Sequence, residues 1–141
     1  MNLLAPYRVL DLTDVRGQIA GMVLGDLGAD VIRVEPRGGS PARGVGPLLP
    51  TGQESERSLS FAAYNRNKRS IEIDFDSDGG CSTFLDLVAD ADFVLDSGPP
   101  SLLDEAGLDF ERLIRANPQL VHVRITPFGS DGPCEIGRAH V

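Results

Sequence analysis

The residues of this 141-residue sequence best suited to chemistry are cations, and they are clustered. Residues 65–69 read NRNKR, which places Arg66, Lys68 and Arg69 side by side. Arg37 follows Glu35-Pro36, and Arg16 lies in an earlier turn. Arginine grips phosphate through parallel N–H donors, and lysine acts on it as a point charge. Arg66, Lys68 and Arg69 are therefore candidate phosphate partners. A basic run is more commonly a solvated face. This one precedes a strand, opposite the Arg37 loop, which favours binding. No Ser-His-Asp order, metal-ligand cluster or paired carboxylate stands out as a catalyst. His122 alternates along a strand and reads as a packed or surface residue.

These cations need a scaffold, and the hydrophobic periodicity supplies one. Strands are expected at residues 8–13, 30–35, 69–75, 92–96 and 120–125, and helices at 18–27, 78–89, 101–106 and 109–116. Ser101 or Pro100 starts the third of these helices, and Asp109 caps the fourth. Residues 58–65 read as a helical turn. Strands alternating with helices imply an α/β domain with a mostly parallel sheet between two helical layers. A strand–turn–helix–strand unit aims its turn at whatever sits above the strand ends. Gly17, Gly21, Gly25 and Gly28 recur through the first helix. Each interior glycine costs a helix roughly 1 kcal/mol relative to alanine, so the repeat implies close approach to a sheet or ligand. Gly28 is a natural stop. Thr13-Asp14-Val15-Arg16-Gly17 is neither G-x-G-x-x-G nor a Walker A loop. Residues 36–57 form a long Gly/Pro/Ser-rich loop, a length usually functional or disordered.

Composition narrows the class. The chain is 41% hydrophobic and 24% charged, as in soluble single domains. A net charge of −8 argues against nucleic-acid or anionic-membrane binding, though not against a local anion site. No apolar run reaches membrane-spanning length, and no signal peptide is evident at the N-terminus. Cys81 and Cys134 show neither a disulfide framework nor zinc spacing, so a reducing cytoplasm is the expected setting.

The segments VLDLT, GDLGADVIRVEP, NRNKRSIEID, ADFVLD, GLDFERLIRANPQLVHVRI and FGSDGP follow one another in a recognisable order and spacing. In these the sequence resembles family III coenzyme A transferases, such as the formyl-CoA and carnitine-CoA enzymes, nearly up to Cys134. The α-methylacyl-CoA racemases share the pattern. The resemblance implies a CoA-binding, Rossmann-like domain over residues 1–134 and an interlocked homodimer in complete members. It implies acyl-CoA and carboxylic acid substrates, with no permanently bound cofactor. It places the CoA nucleotide over the strand ends, near Val15 and Arg16. Arg37 then contacts the nucleotide, and Ile71, Glu72, Ile73, Asp74 and Phe75 line its adenine and ribose. The nucleophile it implies is an aspartate beyond the FGSDGP turn, outside this chain, so no catalytic residue is expected here. The racemases' His and Asp pair also lies past that turn.

Two features depart from the resemblance. Asp96-Ser97-Gly98-Pro99-Pro100 replaces a Glu-Asn-aromatic-Arg-Pro-Gly motif, and Glu105 stands where a basic residue is expected. These departures leave open a racemase-like parent or a noncatalytic nucleotide-binding module. Residues 135–141 (EIGRAHV) leave the pattern abruptly and read as a translated sequencing adapter, hence as a non-native tail.

Overall fold

The computed structural model describes residues 3–98 and 101–129; Pro100, the later part of the GSDGP turn, Cys134 and the 135–141 tail lie outside them. Five strands, β1 (Arg8–Asp11), β2 (Asp30–Pro36), β3 (Arg69–Ile73), β4 (Phe93–Ser97) and β5 (Val121–Ile125), form one sheet. Their order is β3-β2-β1-β4-β5, and every neighbouring pair is parallel. The helices are α1 (Gln18–Asp26), α2 (Leu59–Asn65), α3 (Asp78–Ala89), α4 (Leu102–Glu105) and α5 (Phe110–Ala116). The expected α/β architecture is therefore present.

Alternation along the strands divides the core into two layers. Leu10, Ile32, Val34, Ile73 and Val94 pack with Phe84, Val88, Leu103, Leu108 and Leu113 of the α3–α5 side. Val9, Val31 and Leu95 face the other way and meet Ala20 and Leu24 of α1. Both faces of the central strands are buried, as parallel strands covered by helices require.

Short side chains fix the helix starts. Ser58, Ser77 and Asp109 accept hydrogen bonds from the first-turn amides of α2, α3 and α5. Ser101 and Asp104 form a reciprocal capping box on α4. Helix α1 lacks a side-chain cap, and its glycines have a packing role. A Cβ at Gly21 would collide with the Asp11 carboxylate beneath it and crowd the Lys68 ammonium at 3.1 Å. Close approach to the sheet, rather than to a ligand, accounts for this glycine. Gly28 adopts φ 103° and ends the helical segment as expected.

Two strands end two residues before the expected position, while the other strand bounds agree to within one residue. β1 stops at Asp11 because the Asp11 carboxylate accepts from the Thr13 amide at 3.0 Å and turns the chain. β3 stops at Ile73, so Asp74 and Phe75 belong to the following turn, where Ser77 N donates to Asp74 O at 3.2 Å. The 36–57 loop is also more structured than expected. It contains two short 3-10 turns, Pro41–Gly44 and Glu54–Glu56.

Candidate functional site

Strand order decides where a ligand could sit. From β1 the chain moves outward through β2 and β3, then returns to place β4 on the other side of β1. The connections therefore diverge above the carboxyl ends of β1 and β4, leaving a crevice where open α/β sheets bind ligands.

Two adjoining clefts occupy this region. One, of about 230 Å³, is lined by Leu12, Thr13 and Asp14 after β1, Arg33 and Ser40 beside β2, and Ser97, Leu102 and Glu105. The other, of about 160 Å³, is lined by Arg37, Asp74, Phe75, Asp76 and Ala106. Pro36, Leu102 and Glu105 border both, so the two form one continuous groove. The turn after β1 is tied across it, since the Asp14 amide donates to Ser97 Oγ at 2.7 Å.

Beneath the groove lies a buried polar network. Asp11 is fully buried and accepts from Thr13 Oγ1 at 2.6 Å, Lys68 Nζ at 2.7 Å and Arg33 Nη1 at 3.3 Å. Lys68 Nζ also donates to Gln18 O at 2.8 Å and Asn65 Oδ1 at 2.9 Å. Burial lowers the Lys68 pKa, against the opposing pull of Asp11. Arg33 Nη2 donates to Ser40 Oγ at 3.0 Å.

A second cluster pins the 36–57 loop. Arg43 donates to both Glu35 oxygens, at 2.6 and 2.7 Å, and its guanidinium stacks 4.2 Å from the Phe61 ring centre. Burial works to raise the Glu35 pKa, but bonds from Arg43, Ser70 and the Ser40 amide outweigh it and hold the carboxyl at about 2. Glu35 is thereby committed to the loop, not open to a ribose.

The expected site residues separate into three groups. Arg37, Asp74 and Phe75 line the groove. Val15 and Arg16 are exposed on the turn that continues from Asp14, and Arg16 is bound to the Asp14 carboxylate through Nε at 2.7 Å. Ile71 and Ile73 pack with the core, whereas Glu72 lines an open hollow on the Arg43 side.

The basic run is paired with acceptors of the protein itself. Arg66 donates to Asp26 at 2.7 Å, and Arg69 grips Asp30 at 2.6 and 2.7 Å. Asp26 ends α1 and Asp30 begins β2, so both pairs sit at the sheet edge opposite the groove. Lys68 has a fully buried side chain among protein oxygens. All three cations are engaged by the protein's own acceptors. Sequence reading did not place Thr13, Ser97, Leu102, Asp76 and Glu105 in the site. Their position just after strands at a reversal of strand order is the signal that would have found Thr13 and Ser97.

The geometry describes a crevice at the switch point of a Rossmann-like sheet. The chain belongs to CoA-transferase family III, whose family model matches residues 4–139. It is 39% identical over 127 residues to a succinyl-CoA:(R)-benzylsuccinate CoA-transferase subunit of Thauera aromatica, covering 90% of this chain and 31% of that protein. It is 42% identical over 135 residues to succinate–glutarate CoA-transferase of Agrobacterium fabrum, covering 92% and 34%. The crystal structure of a CAIB/BAIF family protein from Brucella suis superposes with a TM-score of 0.80 at 41% identity, covering 92% of this chain and 34% of that one. The chain spans about a third of the length of the curated relatives it matches.

Proposed function

We propose that this chain is the N-terminal, CoA-nucleotide-binding portion of an enzyme that moves coenzyme A between carboxylic acids. The groove over β1 and β4 is the observation that carries this reading, because it lies where a Rossmann-like sheet holds nucleotides. The nucleotide lies across the turn carrying Val15 and Arg16 and contacts Arg37, Asp74 and Phe75. Thr13 and Ser97 stabilise the turn beneath it. Arg66, Lys68 and Arg69 serve the scaffold.

The chemistry is covalent catalysis by a carboxylate. An aspartate supplied by the rest of the protein attacks the acyl-CoA thioester, forms a mixed anhydride and releases the CoA thiolate. That thiolate attacks the aspartyl carbonyl of the anhydride, giving an aspartyl-CoA thioester and the free donor acid. The acceptor carboxylate then attacks the aspartyl carbonyl of this thioester, expelling the CoA thiolate and forming a second mixed anhydride; the thiolate attacks the acceptor's carbonyl in that anhydride, giving the new acyl-CoA and freeing the aspartate. The aspartate is regenerated, so no oxidant or metal is consumed. The complete protein acts as a homodimer, a reading that rests on the family likeness.

The test is a transfer assay with the complete protein and with residues 1–141 alone. The complete protein should move CoA from an acyl-CoA donor to a carboxylic acid. The 141-residue chain should give no turnover above background. Turnover by this chain alone would overturn the assignment of the nucleophile to the rest of the protein. Exchange of the α-proton without CoA transfer by the complete protein would make it a racemase instead.

A further inference from the structure

The two faces of the sheet are not covered alike at β5. On the α3–α5 face, Phe110 of α5 stacks on His122, and Asp104 of α4 accepts from Arg124. Alternation sends Val121, Val123 and Ile125 to the opposite face, in register with Phe93, Leu95 and Ser97 of β4. There Val121 and Val123 are 47% and 39% exposed. Parallel strands are ordinarily buried on both sides, so an aliphatic strand face open to water calls for a partner.

Helix α1 forms the wall of this open face. Its Gln18 and Met22 turn toward Asn65 and Arg66 at the end of α2, while Ala20 and Leu24 turn to the sheet. At 3.6 residues per turn, Ile19, Val23 and Leu27 then lie on the side away from α2, and all three are exposed. The start of α1 meets the β5 floor, since a Cβ at Gly17 would lie 2.8 Å from Ile125 Cδ1. Wall and floor make one apolar trough, and β5 contributes no charged side chain to it. The trough is one helix wide. Strands lie about 4.8 Å apart and packed helices about 8–10 Å apart. A helix beside α1, which covers β1 and β2, therefore comes to rest over β4 and β5. A strand of five residues runs about 16 Å, the length of about eleven helical residues.

Topology limits where such a helix can come from. α1 and α2 serve the crossovers from β1 out to β3, and α3, α4 and α5 serve those running the other way to β5. Right-handed connections put the two directions on opposite faces, and a further step outward from β5 would again add to the α3–α5 face. A helix beside α1 therefore belongs to a segment that returns once the sheet is laid down. The match covers only 31% and 34% of two curated relatives, so such proteins have ample chain to supply it. Resting on the reading of this chain as an N-terminal portion, we propose that an amphipathic helix from the part of the complete protein following residue 141 docks along α1 and β5. Its apolar stripe covers Val23, Val121 and Val123. A tethered segment reaches this face at high effective concentration, which favours it over a second copy of the chain.

The experiment places the photoreactive residue p-benzoylphenylalanine in the complete protein, in place of Val123 in one variant and of Val121 in another. Irradiation should join each to a peptide beyond residue 141 of the same chain, leaving the chain mass on a denaturing gel unchanged. A cross-linked dimer would overturn the proposal in favour of a second copy. Cross-links confined to residues 1–141, or none, would overturn it by showing the face open. Val123→Glu gives an independent reading in the complete protein. It should lower the thermal midpoint by several degrees, and by more than Val123→Ala, because the carboxylate is forced under a helix. An unmoved midpoint would contradict the docking. CoA transfer by the same preparations is measured separately. An active enzyme without the cross-link loses only the docked helix, and a cross-linked protein without transfer loses only the CoA reading.

Discussion

Replacing Asp11 with alanine is expected to destabilise the fold by about 3–5 kcal/mol, because it removes the one carboxylate that neutralises two buried cations. The Lys68 side chain is fully buried and that of Arg33 is nearly so. Lys68 is held between Asp11, the Gln18 carbonyl of α1 and Asn65 of α2. Thr13 would also lose the acceptor that turns the chain after β1. The damage therefore reaches the groove directly, through the turn carrying Asp14 to Arg16. Urea unfolding followed by circular dichroism measures the loss. Pairing Asp11→Ala with Lys68→Met should recover part of it, since one stranded charge is removed. A loss under about 1 kcal/mol, the size of an ordinary exposed ion pair, would show that the network is not the buried keystone described here.

Phe84→Ala is expected to cost a further class of stability, about 3–5 kcal/mol, by opening a cavity on the opposite face of the sheet. Phe84 is fully buried on α3 and packs edge-to-face on Phe75, with ring centres 5.4 Å apart. Phe75 lines the groove, so its loosening should also weaken nucleotide binding. Phe84→Leu leaves a smaller void and should lose less than half as much. Chemical denaturation of the three proteins makes the comparison. Equal losses for leucine and alanine would contradict the cavity argument.

The sequence made the scaffold legible because strand and helix periodicities recur over short distances. RVLD, DVIRVEP and FVLDS are short runs rich in Val, Ile and Leu, as strands buried on both faces require, and each helix after the first begins with an oxygen-bearing cap. The parallel order followed from their alternation with helices. Side-chain partnerships were not legible in the same way. NRNKR displays its charge openly, but its acceptors Asp26, Asp30 and Asp11 lie 39 to 57 positions earlier in the chain. Only folding brings them together, and it pairs a run that reads as a phosphate cradle with the protein's own carboxylates. Glu35 shows the same dependence on folding. It ends a strand where a ribose-binding carboxylate belongs, yet Arg43 and Ser70 claim both of its oxygens.

Arg37 and Asp74 were legible for another reason. They follow directly on strand ends, and the carboxyl edge of a parallel sheet is fixed by chain direction alone. Glu105 stood out in the sequence only as an unexpected acid. Its place in the groove depends on how α4 is seated, which Arg124 sets by bridging Asp96 and Asp104 at 3.1 and 2.9 Å.

The most direct test of the nucleotide assignment is hydrogen–deuterium exchange of the complete protein with and without a saturating CoA-type ligand. Backbone amides in residues 12–17, 36–39, 74–76 and 101–106 should become protected, because they border the groove. The 65–69 segment should change little. Protection centred on residues 65–69, with the strand-end turns unaffected, would contradict the placement of the site.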